Sequence, residues 1–123
     1  MYDGHIVHLS TVLEGNREAL VGVHPFSGVV QSDDAGRSWV QLSEPPVAPV
    51  TALAVTPSGD VLVIGGPAGL YRSDAGGQTW SQVLKEGTVL AAAVSEDGQT
   101  IAAVMANTDF YRSDDGGRSW PPP

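Results

Sequence analysis

Ser32-Asp33-Asp34-Ala35-Gly36-Arg37-Ser38-Trp39 returns twice along the chain, as Ser73-Asp74-Ala75-Gly76-Gly77-Gln78-Thr79-Trp80 and as Ser113-Asp114-Asp115-Gly116-Gly117-Arg118-Ser119-Trp120. The second copy starts 41 residues after the first and the third 40 after the second, and all three tryptophans of the chain close a copy. A fixed period of this length marks a repeat architecture. The likeness runs upstream: Gly69-Leu70-Tyr71-Arg72 parallels Asp109-Phe110-Tyr111-Arg112, with Gly28-Val29-Val30-Gln31 a looser copy. Further back, Val61-Leu62-Val63-Ile64 aligns with Leu20-Val21-Gly22-Val23 and with Ile101-Ala102-Ala103-Val104, and Val50–Val55 aligns with Thr88–Val94. In the first repeat that last segment is His5–Val12.

Each repeat reads as four short strands. In the second these are Val50–Thr56, Val61–Ile64, Leu70–Ser73 and Thr79–Leu84. The runs are β-branched or aromatic and are bounded by Gly, Pro, Asp or Ser, such as Pro57-Ser58-Gly59-Asp60. No window carries a 3.6-residue period. The first two strands are almost continuously apolar, the pattern of strands buried on both faces. Four antiparallel strands in about forty residues describe one blade of a β-propeller, which buries its faces only against sister blades. The expectation is an all-β chain of three blades, at about 5–43, 50–84 and 88–123.

The repeated octamer resembles the Asp-box, or bacterial neuraminidase repeat, of pattern S-x-D-x-G-x-[ST]-[WF]. Ser32, Asp34, Gly36, Ser38 and Trp39 match it, as do Ser113, Asp115, Gly117, Ser119 and Trp120. The middle copy keeps Ser73, Gly77, Thr79 and Trp80 but carries Ala75 at the Asp position. The resemblance implies a propeller with the box at the outer rim, away from any active site, as in sialidases, other glycosidases, sortilin-type receptors and photosystem II assembly factors.

The residues explain the motif without a ligand. A tight hairpin needs positive φ, hence Gly36, Gly77 and Gly117. Asp and Ser oxygens accept from the turn's own N–H groups. The indole plugs the start of the last strand. Ala75 removes the carboxylate, so the second hairpin is expected to be the least rigid, and Asp74 faces the wrong way to replace it. Three acidic turns suggest Ca²⁺, but each offers only one or two carboxylates, so the box is assigned a structural role and no metal or other cofactor is expected.

Net charge is −8, from 14 acids against 6 bases. Phosphate and anionic lipid surfaces both call for the opposite sign, so neither nucleic acid nor membrane is an expected partner. The apolar run Val89–Val94 is far too short to span a bilayer, and MYDGHIVHLS lacks the basic and apolar regions of a signal peptide, so the default location is cytoplasmic. With no cysteine there is no disulfide, thiolate metal site or thiol nucleophile.

The sialidase resemblance implies three arginines clamping a carboxylate, a Tyr–Glu nucleophile pair and an Asp acid/base. Here Arg72 and Arg112 are repeat-equivalent, as are Arg37 and Arg118, and Tyr71 and Tyr111, so they read as scaffold and packing residues. Arg17 alone is non-repeated, on the loop between the first two strands. Carboxylates off the repeat pattern are Glu14, Glu18, Glu44, Glu86, Glu96 and Asp97, all in expected loops. His5 and His8 fall on opposite sides of a strand, and His24 stands alone. No catalytic residue is assigned, and the chain is not expected to be an enzyme by itself.

Propellers close with about four to eight blades, so three blades leave two apolar ends. Either the chain is a fragment of a longer propeller or it self-associates, and the second is the expected remedy: two copies form a six-bladed ring with twofold symmetry. Pro121-Pro122-Pro123 deny the third blade a full last strand, a gap that Met1–Leu9 of a neighbour closes or that stays open and blunted. The expected function is a non-enzymatic scaffold or binding module. Its ligand, protein or carbohydrate, would meet loops that differ between repeats: 14–18, 43–49, 85–87, 24–27, 66–68 and 106–108. The alternative is a fragment of a sialidase-like glycoside hydrolase. A photosystem-assembly scaffold fits the acidic charge poorly.

Overall fold

The computed structural model describes residues 8–14, 17–24, 28–43 and 49–120. They form eleven strands: β1 His8–Glu14, β2 Arg17–His24, β3 Gly28–Ser32, β4 Val40–Ser43, β5 Ala52–Val55, β6 Leu62–Gly66, β7 Gly69–Ser73, β8 Ser81–Leu84, β9 Val89–Val94, β10 Ile101–Met105 and β11 Phe110–Ser113. All pairing is antiparallel between sequence neighbours, in sheets β1-β2-β3-β4, β5-β6-β7-β8 and β9-β10-β11. No helix occurs among the described residues, in keeping with their missing helical period. His5, Glu44, the N-terminal closing segment before His8 and the C-terminal prolines lie outside the described residues.

Two readings need correction. Leu20, Leu62 and Ile101 each pair with the serine that opens the repeated hairpin, at Ser32, Ser73 and Ser113. The equivalent residues are therefore Leu20, Leu62 and Ile101, one step from the alignment that matched Leu20 and Ile101 with Val61. Such a slip exchanges every inward and outward side chain. Val61 is instead part of the preceding turn, where its N–H donates to Thr56 Oγ1 (3.2 Å). Second, Glu14, Arg17 and Glu18 lie in β1 and β2 rather than on a loop, because these strands pair all the way to Glu14↔Arg17.

The alternation of β6 organises the core. All five of its residues are buried. Leu62 and Ile64 join Val21, Val23 and Val29 of the first sheet, while Val63 joins Leu70, Val89, Ile101 and Met105 toward the third. Neighbouring sheets thus pack face to face through two apolar layers. Gly65 is required by this packing, since a Cβ there would stand 2.6 Å from Val89 Cβ. Two bonds reinforce the second junction: Thr51 Oγ1 donates to the Val89 carbonyl (2.5 Å), and Trp120 Nε1 to that of Val83 (2.7 Å).

Candidate functional site

The repeated octamers are hairpins at one end of each sheet, beside the turn between its first two strands. Gly76 N donates to the Asp60 carbonyl (3.0 Å), and Gly116 N to that of Gln99 (2.7 Å). In the first copy, Asp34 Oδ1 accepts from Ser32 Oγ (2.7 Å) and Ser38 N (2.9 Å), and Oδ2 from Ser38 Oγ (2.5 Å). Asp115 repeats this with Ser113 Oγ (2.7 Å), Ser119 N (2.8 Å) and Ser119 Oγ (2.5 Å). Hydrogen bonds from the Ser38 and Ser119 hydroxyls, then from Ser32 and Ser113, hold both carboxyls well below the usual range.

The opening serines are buried, and each accepts the N–H of the glycine four residues on, at 2.8 to 2.9 Å. Those glycines, Gly36, Gly77 and Gly117, have φ of 91°, 97° and 94°. The residue before each is also left-handed, at Ala35 (65°), Gly76 and Gly116, a requirement that the pattern x-G concealed in the first copy. In the second copy Asp74 pairs with Arg72 Nε (2.8 Å), so it does not stand in for the carboxylate missing at Ala75.

The tryptophans do more than plug a strand. Trp80 packs against the core between the first and second sheets, and Trp120 against that between the second and third. Each therefore clasps the preceding sheet. Trp120 Nε1 is bonded, whereas Trp80 Nε1 is buried without a partner. Trp39 is half-buried, and no sheet precedes its own among the described residues.

Arg72 is a junction residue. Its Nη1 donates to the carbonyls of Gly98, in the turn between β9 and β10, and Gly116, in the hairpin after β11. Arg37, Arg112 and Arg118 are exposed. Among the described residues no three His, Cys, Asp or Glu side chains come together as a metal site, and no helix is long and apolar enough to cross a membrane. Asp97 is a turn cap, accepting from Ser95 Oγ (2.6 Å) and Gln99 N (3.0 Å), which lowers its pKa.

At the opposite end, the connections between sheets meet the loops between second and third strands. There Tyr111 OH donates to Glu86 Oε1 (3.0 Å), and this bond raises the tyrosine's pKa. The Tyr111 ring packs on the core as expected, but its pairing with Glu86 is invisible to repeat comparison, because Glu86 belongs to a variable connection. The topology could have suggested it, since both lie at that end. The pair borders a recess of about 160 Å³ lined also by Thr88, Met105 and Asn107. Thr108, on the same loop, has a φ of 74°, a strained value for a β-branched residue.

The third sheet also presents an apolar face to solvent. Leu90 is 54% exposed, Phe110 48% and Val104 37%. Phe110 occupies the place of Leu70, which is fully buried against the third sheet.

No protein-family model and no curated protein matches this sequence. Solved structures do match in fold. YCF48 bound to D1 peptide aligns with a TM-score of 0.69 at 17% identity, over 95% of this chain and 40% of that one. The GH74 xyloglucanase from Xanthomonas campestris aligns at 0.65 and 20% identity, over 98% of this chain and 24% of that one. The β-propeller domain of Myceliophteria thermophila Cps50 (Swd1) aligns at 0.66 and 15% identity, over 93% and 37%. This chain spans well under half the length of these neighbours. Its fold is that of a partial β-propeller, each sheet being a blade.

Proposed function

We propose that the chain is a non-enzymatic propeller-forming module that closes with a second copy into a six-bladed ring and binds a protein ligand at the end carrying Glu86 and Tyr111. The uncovered apolar face of the third blade carries the reading. Leu90, Val104 and Phe110 sit where the second blade is covered by its neighbour, and exposed apolar patches of this kind mark association sites. The repeated hairpins, with carboxylates saturated by their own turns, are rim fasteners in this scheme. The ligand end differs from blade to blade, as a recognition surface does. A propeller bound to a peptide among the structural neighbours favours a protein ligand.

Small-angle scattering tests the ring. Two chains closed into one disc give a radius of gyration of about 18 Å, against about 14 Å for a lone compact chain. A value near 14 Å at all concentrations refutes closure.

The Tyr111–Glu86 bond and the GH74 neighbours favour a second reading, a glycoside hydrolase fragment. It predicts cleavage of an aryl glycoside that disappears in Glu86→Gln. Absence of turnover across a broad glycoside panel ends it.

A further inference from the structure

Arg72 reaches across the junction between the second and third blades, into a recess that Asp115 and Arg118 also line, and the outer faces of the first and third blades carry the separate halves of the same device. Arg72 leaves β7 toward the third blade with Nε fixed by Asp74, and its side chain is only 11% exposed. Beyond its two carbonyl acceptors, a Cβ on Gly116 would stand 3.1 Å from Nη1 and 3.8 Å from Gln99 Oε1, so the side chain at position 99 lies beside the guanidinium. Arg112 is its counterpart on β11: it pairs with Ala102 as Arg72 pairs with Val63. Asp114 fixes Arg112 Nε in the same way (3.0 Å), yet the side chain is 61% exposed, with no following blade among the described residues to receive it.

The first blade holds the matching receptor. Glu18 stands two residues before Leu20, as Gln99 stands two before Ile101. Ala35 takes the place of Gly116 with the same left-handed backbone, φ 65° against 74°. Glu18 and Ala35 border an open cleft of about 520 Å³ where Glu18, Asp33 and Asp34 outnumber the single cation, Arg37, the repeat equivalent of the Arg118 that lines the recess around Arg72. The donor positions along the chain are Gln31, Arg72 and Arg112, and the receiving positions are Asp60, Gln99 and Glu18. Only the pairing of Arg112 with Glu18 joins two full opposite charges.

Resting on the two-chain ring proposed above, the geometry points to an interchain latch: Arg112, aimed by Asp114, enters the first-blade cleft of a second copy, donates to the Ala35 carbonyl and pairs with the Glu18 carboxylate. The positions aligned across the interior junctions combine one charged and one neutral residue, Gln31 with Asp60 and Arg72 with Gln99, so the oppositely charged Arg112 and Glu18 distinguish a closing junction from an interior one and set end-to-end register.

Charge reversal tests the latch in the full chain. Arg112→Glu and Glu18→Arg are made separately, and association is measured by sedimentation velocity. Each variant alone places like charges at both junctions of a ring, weakening association about tenfold per junction and about a hundredfold in all. Mixing the two variants restores opposite charges at both junctions, so the mixture forms a heterodimer of parental affinity that neither forms alone. A misfolded variant would not be rescued by mixing. If the parent dimerises and both variants dimerise equally well, the latch is wrong and the ring stands. If the parent stays monomeric, the ring itself fails.

Discussion

Phe110→Ala and Leu70→Ala remove the same blade position in two different settings, and the account assigns them different consequences. Leu70 is fully buried between the second and third blades. Its truncation leaves a cavity inside the folded chain and costs about 2–5 kcal/mol of folding stability. Phe110 keeps 48% of its surface exposed. Full burial of such a side chain contributes about 1.5–3 kcal/mol, so covering its remaining half contributes about 1 kcal/mol per junction. A two-chain ring has two junctions, which makes about 2 kcal/mol, or about a 30-fold loss in dimer affinity for Phe110→Ala. The assays are sedimentation velocity for association and denaturant unfolding at several protein concentrations. The parent's midpoint should rise with concentration, because assembly draws only on folded chain. Leu70→Ala should lower the midpoint at every concentration, whereas Phe110→Ala should lower it chiefly where the parent is dimeric. The reasoning is refuted if Phe110→Ala leaves association unchanged, or if it destabilises the dilute chain as much as Leu70→Ala does.

Three further outcomes are expected. Trp120→Phe loses the bond to the Val83 carbonyl and should be more destabilising than Trp80→Phe, which removes an unpartnered buried N–H, by about 1–2 kcal/mol in denaturant unfolding. Ala75→Asp supplies the missing acceptor for Ser73 and Thr79, so amide exchange at Thr79 should slow toward that of Ser38 and Ser119, and unchanged exchange would discount the carboxylate's part in the hairpin. Because Asp34 and Asp115 have depressed pKa values when folded, the native chain binds fewer protons than the unfolded one. The stability they contribute is complete above the ordinary carboxylate range near 4 and is lost as pH falls through the lower folded values. In an acid titration followed by circular dichroism, Asp34→Asn with Asp115→Asn should flatten that loss.

The octamer made most of the fold legible, because its serine, glycine and tryptophan each answer a separate demand of one hairpin. Its period implies short antiparallel strands throughout, and the four strands expected in the second repeat overlap β5 to β8 to within two residues at each end. Register was less accessible. Val61-Leu62-Val63-Ile64 is apolar throughout, and a strand buried on both faces gives no alternation by which to tell Leu62 from Val61. The pairing of Leu62 with Ser73 fixes it, and that is a tertiary fact. Arg72 and Arg112 are repeat equivalents, but identical sequence positions hide opposite environments, one covered by a neighbour and one facing water. Tyr111 with Glu86 escaped for the reverse reason, since a variable connection has no counterpart to compare.

The central claim is that three blades are completed by sister blades. The most direct measurement is the solution mass of the purified chain by light scattering across a dilution series. The account predicts a discrete species near twice 12.8 kDa that dissociates on dilution, in step with loss of structure. A compact, fully structured species of 12.8 kDa at every concentration would contradict it.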